Sequence, residues 1–127
     1  MSANFTTTIR ESSCELTARE RIKVKDTSSA IQLDELVTET DPFIFSPKDY
    51  AIIDVHNENS KSDKDYTKYI IIATDGKRYI TGSETLFRNF IDIFTEMRDI
   101  DEDYEIEVYK KPSKNYTGKT FLTCALV

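Results

Sequence analysis

The sequence has no tryptophan, only three glycines, three prolines and two cysteines, and a single histidine among its 127 residues. Each shortage removes a class of function. With so little glycine there is no GxxxxGK[ST] loop and no GxGxxG, so a glycine-rich phosphate cradle for a nucleotide is not expected. Gly118-Lys119-Thr120 matches the end of such a loop but lacks the upstream glycine and the helix that should follow. His56 closes a predicted strand with no serine or cysteine nucleophile placed by motif, and it reads as an ordinary surface residue rather than a catalytic base. The chain is therefore not expected to be an enzyme. Cys14 and Cys124 lie at opposite ends with no CxxC spacing, so neither a zinc site nor a disulfide framework is indicated, and Cys124 in FLTCALV reads as a small core residue. The acidic run DIDEDYEIE lacks the central glycine and spaced ligands of a calcium loop. No metal and no cofactor is expected. No stretch approaches the roughly 20 apolar residues that span a bilayer, and MSANFTTTIRESSC lacks the apolar run of a secretory signal. A cytoplasmic protein that makes no use of a membrane is the expectation.

What is abundant is charge, and it is unevenly placed. The net charge is -6 and the pI about 4.8, which by itself argues against nucleic acid as a partner. Residues 92–107, however, hold eight acids (Asp92, Glu96, Asp99, Asp101, Glu102, Asp103, Glu105 and Glu107) against Arg98 alone, a local charge of -7. The rest of the chain is then at about +1. After Glu107 there is no acid, and KKPSKNYTGK carries +4. An acid block more than about 8 Å from a basic surface is largely screened at physiological salt.

Read along the chain, residues 1–15 form a flexible N-terminal arm and residues 16–127 one domain. From Leu16 the apolar residues Leu16, Ala18, Ile22 and Val24 alternate with Arg19, Arg21, Lys23 and Lys25, broken only by Glu20; the period of two predicts a half-buried strand with a basic face. AIQLDELV is a short amphipathic turn or helix, and TDPFIFSP a connector punctuated by proline. DYAIIDVHNE and DYTKYIIIAT form a long antiparallel hairpin around NENSKSDK, and DGKR turns into a short strand over 79–81. An amphipathic helix follows, capped by Thr81 or Ser83, with Leu86, Phe87, Phe90, Ile93, Phe94 and Met97 on its core stripe. YEIEVYKK and GKTFLTCALV close the chain as a strand pair. This order predicts a mainly β fold with one helix: an OB-like five-stranded antiparallel barrel with the helix between the third and fourth main strands. A ferredoxin-like sandwich would need a second full helix.

One chemistry recurs, the interleaving of cations with aromatic residues. It appears in Lys64, Tyr66, Lys68 and Tyr69, in Lys77, Arg78 and Tyr79, and in Lys110, Lys111, Lys114, Tyr116, Lys119 and Phe121. Cations track a phosphate backbone while aromatic faces accept splayed bases, so single-stranded nucleic acid is the expected ligand. The parity of DYTKYIIIAT sets Tyr66 and Lys68 opposite Tyr69, so the two tyrosines cannot face the same ligand.

The layout of IKVKD, IQLDELV, YAIIDV, YIIIATDGKRYITGS, LFRNFIDIF and SKNYTGKTFLTCALV resembles the small single-stranded DNA-binding proteins of Gram-positive phages and conjugative elements, over residues 20–127. In those proteins a turn of the ATDG-xx-Y type precedes the helix and an SK-x-G-x-F-type turn enters the last strand. The resemblance implies coating of single-stranded DNA during replication or transfer through the barrel face and its loops, and no catalysis. Carried onto this chain, it implicates Arg21, Lys23 and Lys25, then Lys64, Tyr66 and Lys68, then Lys111, Lys114 and Tyr116. It leaves room for RNA as a ligand, for a homo-oligomer and for replication proteins as partners. The chain departs from larger bacterial single-strand binders, which end in an acidic recruiting tail, whereas this sequence ends in an expected core strand. The rival expectation is a protein-interaction module, a factor that inhibits or recruits a host protein through the acidic 92–107 surface.

Overall fold

The computed structural model describes residues 5–38, 40–57, 65–100, 102–113 and 118–127. The described chain divides into two compact units, each assembled from two separate stretches: residues 1–31 with 48–82, and residues 32–47 with 83–127. The protein is mainly β, with three short-to-medium helices. Among the described residues no helix is long and apolar enough to cross a membrane.

The first unit is built on β1 (Phe5–Ser12), β4 (Pro47–Asn57), β5 (Asp65–Ala73) and β6 (Arg78–Thr81), which with the two-residue edge strand β2 (Ile31–Gln32) form a sheet of order β1-β4-β5-β6-β2. Strand alternation accounts for its core. Ala51, Ile53 and Val55 occupy every second position of β4 and bury with Ile70 of β5, Ile80 of β6, Leu16 and Val24. Each fully buried aliphatic side chain of this kind contributes about 1.5–3 kcal/mol. The β5–β6 register, Ile70↔Ile80 and Ile72↔Arg78, is set by a tight turn in which the Gly76 amide donates to the Ala73 carbonyl (3.0 Å). Gly76 has φ +88°, the left-handed conformation that glycine adopts without a Cβ penalty.

In the second unit β3 (Phe43–Phe45), β7 (Ile106–Pro112) and β8 (Thr120–Leu126) make a three-stranded antiparallel sheet of order β3-β7-β8. The helix α3 (Glu84–Met97) begins at Ser83, whose hydroxyl accepts from the Leu86 amide, and buries Leu86, Phe87, Phe90 and Phe94. Successive rings on that stripe pack in tilted pairs at 5.9 and 5.7 Å between centroids. The side chain of Asn89 donates to the Thr123 hydroxyl, tying α3 to β8. The sequence-predicted helix, its Ser83 cap, the long hairpin, the short strand after DGKR and the closing strand pair are all found.

Several expectations are corrected. Residues 18–25 are a helix, α1 (Ala18–Lys25), and not a strand. The reason is the capping box Thr17-x-x-Glu20: the Glu20 amide donates to Thr17 Oγ1 (3.2 Å) and the Thr17 amide to Glu20 Oε1 (3.0 Å). Glu20, which interrupts the alternation, is the residue that starts the helix. Only Val24 of α1 is buried, while Ile22 is 69% exposed, so the two do not share a face as they would in a strand. Within the stretch expected to be a loose arm, residues 5–12 form β1, paired with β4 from Phe5↔Asn57 to Ser12↔Ala51. The proline-flanked connector contains β3, paired to β7 through Phe45↔Ile106. AIQLDELV divides into β2 and a single helical turn, α2 (Leu33–Leu36). In place of one five-stranded barrel with one helix, the described residues give two open sheets and three helices.

An eight-residue helix is too short to persist on propensity alone, so α1 depends on its cap and on Val24. Thr17→Ala should lower the unfolding free energy by about 0.5–2 kcal/mol and Val24→Ala by about 1.5–3 kcal/mol. Ile22→Thr should stay within about 0.5 kcal/mol of the parent. Urea denaturation of the three variants checks this; a strand would make Ile22 and Val24 equally costly.

Candidate nucleic-acid interface

The closing hairpin carries the densest group of the predicted cations. The β7–β8 register pairs Lys111 with Phe121 and Lys110 with Leu122. Alternation sends Ile106, Val108, Leu122 and Cys124 into the core and leaves Lys111 and Phe121 together on the opposite face. Phe121 is 37% exposed, unlike Phe87, Phe90 and Phe94, which are buried. At the end of the hairpin a depression of about 360 Å³ is lined by Lys110, Pro112, Ser113, Gly118, Lys119 and Thr120. The Ser113 amide donates to the Lys119 carbonyl (2.9 Å), and Gly118, at φ +78°, supplies the left-handed residue the return requires. Lys114 and Tyr116 lie outside the described residues, as does Lys64.

In the first unit the predicted residues separate. Arg21, Lys23 and Lys25 do not share a face, because α1 turns about 100° per residue and puts Lys23 about 200° from Arg21. Arg21 Nη1 donates to the Leu16 carbonyl (2.8 Å) and so serves the helix entry. Lys25 is exposed in the last turn of α1. Lys23 instead joins Arg78 and Lys48 around a cleft of about 300 Å³. Lys68 and Tyr66 do share a face of β5, but the Lys68 ammonium lies 5.7 Å from the Tyr66 ring centroid. Tyr66 also packs against the core cluster, so one ring face is held by its own neighbour's cation. Lys77 is exposed in the turn, its amide bonded to Asp75 Oδ1 (3.0 Å). Tyr79 is 4% exposed and is a packing residue rather than a stacking platform.

Sequence reasoning missed Lys48, which carries no local signal beyond following Pro47, and it missed a polar groove of about 420 Å³ bordered by β1, β4 and β5. There a β-bulge between Ile9 and Glu11 re-aims Arg10. Its Nε donates to Asp54 Oδ2 (2.9 Å) and its Nη2 to both Asp54 Oδ1 and Thr67 Oγ1. Thr67 donates in turn to Asp54 (3.2 Å). This fork commits Nε and Nη2 of Arg10 to Asp54 and Thr67. His56 Nδ1 and Asp65 Oδ1 are 2.6 Å apart at the same groove. Arg10 and Asp54 are 44 residues apart in sequence, and no spacing rule links them.

The acidic residues also have places. Asp92 and Glu96 sit in the second half of α3, Asp99, Glu102, Asp103 and Glu105 in its link to β7, and Glu107 on β7. Asp101 lies outside the described residues. Both thiols are free; burial pushes Cys124 up to about 12 and also raises Cys14, so neither is an activated nucleophile. Among the described residues no cluster of three His, Cys, Asp or Glu side chains is placed to hold a metal ion.

Compared with known proteins, the chain matches no protein-family model, no curated protein and no solved structure.

The Arg10 fork holds the Asp54 carboxyl below its usual range, first through its hydrogen bond, which outweighs the opposing desolvation, and then through its charge, with Thr67 adding to the effect. A depressed carboxyl pKa contributes stability above the unfolded value of about 4 and loses it as pH falls through the folded value. Asp54→Asn should therefore be less stable than the parent at neutral pH, and the gap should close as pH falls below about 4. Thermal unfolding of both proteins across pH 7 to 3 measures it.

Proposed function

We propose that the protein binds single-stranded DNA without sequence preference, by cations that follow the phosphate backbone and exposed aromatic faces that take bases, and that it performs no catalysis. The observation that carries this reading is the Lys111–Phe121 cross-strand pair, an exposed phenyl ring beside an exposed cation, with Lys110 and Lys119 at the same hairpin end. A phenyl group left 37% exposed while its helical counterparts are buried is a surface a base can cover. In an OB-like domain such a hairpin forms one wall of the strand-binding groove; the reading rests on the hairpin itself. Protection or organisation of single strands in phage or mobile-element replication or transfer, in a bacterial cytoplasm, is the setting the resemblance suggests. The free Cys14 and Cys124 are compatible with a reducing compartment.

A second reading has its own observation. The last turn of α3 has no basic residue, Arg98 follows as its C-cap, and the two acids flanking that single cation, Glu96 and Asp99, stand where the helix dipole disfavours negative charge. Acids held against the dipole are consistent with a docking face for a basic partner protein.

Fluorescence anisotropy with labelled oligo-dT, its duplex and an RNA counterpart over a salt series separates these. The parent should bind oligo-dT with an affinity that falls as salt rises. Lys111→Glu with Lys119→Glu should reduce the log–log salt slope by at least about 1.4, and Phe121→Ala should cost about 1–3 kcal/mol of binding. Unchanged affinity and slope in both variants removes the hairpin from the interface. Absence of oligo-dT binding by the parent at low salt, with capture of a basic partner that is lost in Asp99→Lys with Asp103→Lys, replaces the reading with the second one.

A further inference from the structure

The cleft beside α1 has the composition of a discrete anion site. Its walls are Glu20, Lys23 and Val24 from α1, Lys48 from the start of β4, Ile72, Ala73 and Thr74 from the end of β5, and Gly76 and Arg78 from the turn into β6. Among the lining residues three cations face one carboxylate, which is committed to the Thr17 amide (3.0 Å). Outside the lining, Asp26, its carboxyl held low first by the Ser28 hydroxyl, is near enough to Arg78 for that charge to help lower it. Arg78 is the anchor. Its Nη2 donates to the Ser29 hydroxyl (2.7 Å), which fixes the guanidinium plane, while Nη1 is buried with no hydrogen-bond acceptor from the protein. A buried N–H of a charged group without an acceptor is costly to keep. With Nη2 donating to Ser29 and Nη1 shut off from solvent, Arg78 offers the cleft a fixed positive charge rather than an open fork, and the lysine ammoniums add mobile point charges at the rim. At about 300 Å³ the space is at the small end of ligand sites, enough for one phosphoryl group with part of what it is attached to. The apolar Val24 and Ile72 beside it suit a sugar or base edge more than a second charge.

We propose that this cleft binds a single phosphoryl group, with the exposed Lys23 and Lys48 as its ligands and Arg78 as the fixed positive charge behind them. The phosphoryl group is that of a nucleic-acid backbone, a part of the inference that rests on the single-strand reading, or that of a free phosphate or mononucleotide. Glu20 opposes the anion, and its charge sets how tightly a phosphoryl group is held.

The test uses the full chain and three probes: inorganic phosphate, thymidine monophosphate and oligo-dT. Amide chemical shifts of the parent should move at residues 20–24, 48 and 72–78 on titration with thymidine monophosphate, in a saturable manner. Lys23→Gln with Lys48→Gln, both exposed side chains, should weaken that binding by about tenfold, as two partly screened charges are removed. Glu20→Gln keeps a capping-box acceptor for the Thr17 amide and should tighten binding about two- to fivefold. Tightening by Glu20→Gln is the outcome a merely folded-state role for these residues does not give. If neither phosphate nor thymidine monophosphate produces saturable shifts at these residues, the cleft is not a phosphoryl site. Oligo-dT binding that is weakened in the double glutamine variant, and competed by phosphate, assigns the cleft to the nucleic-acid backbone. Mononucleotide binding with oligo-dT affinity untouched assigns it to a free ligand and leaves the hairpin reading standing. Oligo-dT binding lost only in the Lys111 and Lys119 variant, with no mononucleotide effect, overturns the cleft and spares the hairpin.

Discussion

The register of β4, β5 and β6 is the constraint on which the first unit depends. Ala51, Ile53 and Val55 must face the same core as Ile70 and Ile80, and a slip of one residue in any pairing would turn that whole set to the other side of the sheet. Fixing the aliphatic positions fixes the polar ones as well. With Ile70 paired to Ile80, Ile72 must pair with Arg78, which brings a guanidinium to the rim beside α1 instead of into solvent at the turn. With Ile53 paired to Ile9, Asp54 falls beside Thr8 and within reach of the bulged Arg10. The side chains that could do chemistry are thus placed by residues that do none.

How much of this was legible in the sequence depended on whether the decisive interaction was local. The helix α3 has a cap, a stripe of apolar residues and an acidic first-turn residue within one stretch, and all of it was readable. The helix α1 was misread because alternation of charge and apolar residues over eight positions mimics a strand. The contrary signal, a threonine followed three residues later by glutamate, was present and outweighed. In β1, the sequence FTTTIRES has modest apolar content, and it is a strand because β4 offers a paired edge 39 to 52 residues away. Likewise β3 lies between prolines and is recruited by β7. Pairings of that range leave no trace in composition. The site residues follow the same rule: Lys110 and Lys119 meet at one depression, and Lys111 meets Phe121 on the other face of β7, because two adjacent strands pair, whereas Lys48 meets Lys23 and Arg78 only through the tertiary fold.

The aromatic residues show why interleaving alone overstates an interface. Among those near cations, Tyr79 is buried and Tyr66 is in contact with its own lysine and with the core. Tyrosine is a favoured strand residue for reasons of packing, so proximity in sequence to lysine carries little weight until exposure is known. Phe121 is the informative case, since a phenyl ring has no polar tip to explain its exposure, and its cross-strand partner is a lysine rather than an apolar residue.

The acidic net charge and the proposed nucleic-acid surface are reconciled along a single strand. The strand β7 is preceded by Glu105 and carries Glu107 near its start, and it reaches Lys110 and Lys111 near its end. At about 3.3 Å per residue, Glu105 and Lys111 are roughly 20 Å apart and Glu107 and Lys111 roughly 13 Å. Both separations exceed the screening length of about 8 Å at physiological salt. The acids therefore subtract little from the potential at the hairpin end under those conditions, while at low ionic strength their field extends over the whole strand. Net charge is then the wrong quantity for judging partners of this protein. What a phosphate at the proposed interface meets at close range is Lys110 with Lys119 on one side of the hairpin end or Lys111 on the other, and Glu105 and Glu107 reach these cations only when salt is removed. A protein arranged in this way gains less from low salt than one with the same cations on a neutral background, because repulsion from the acids lengthens its reach along with the attraction.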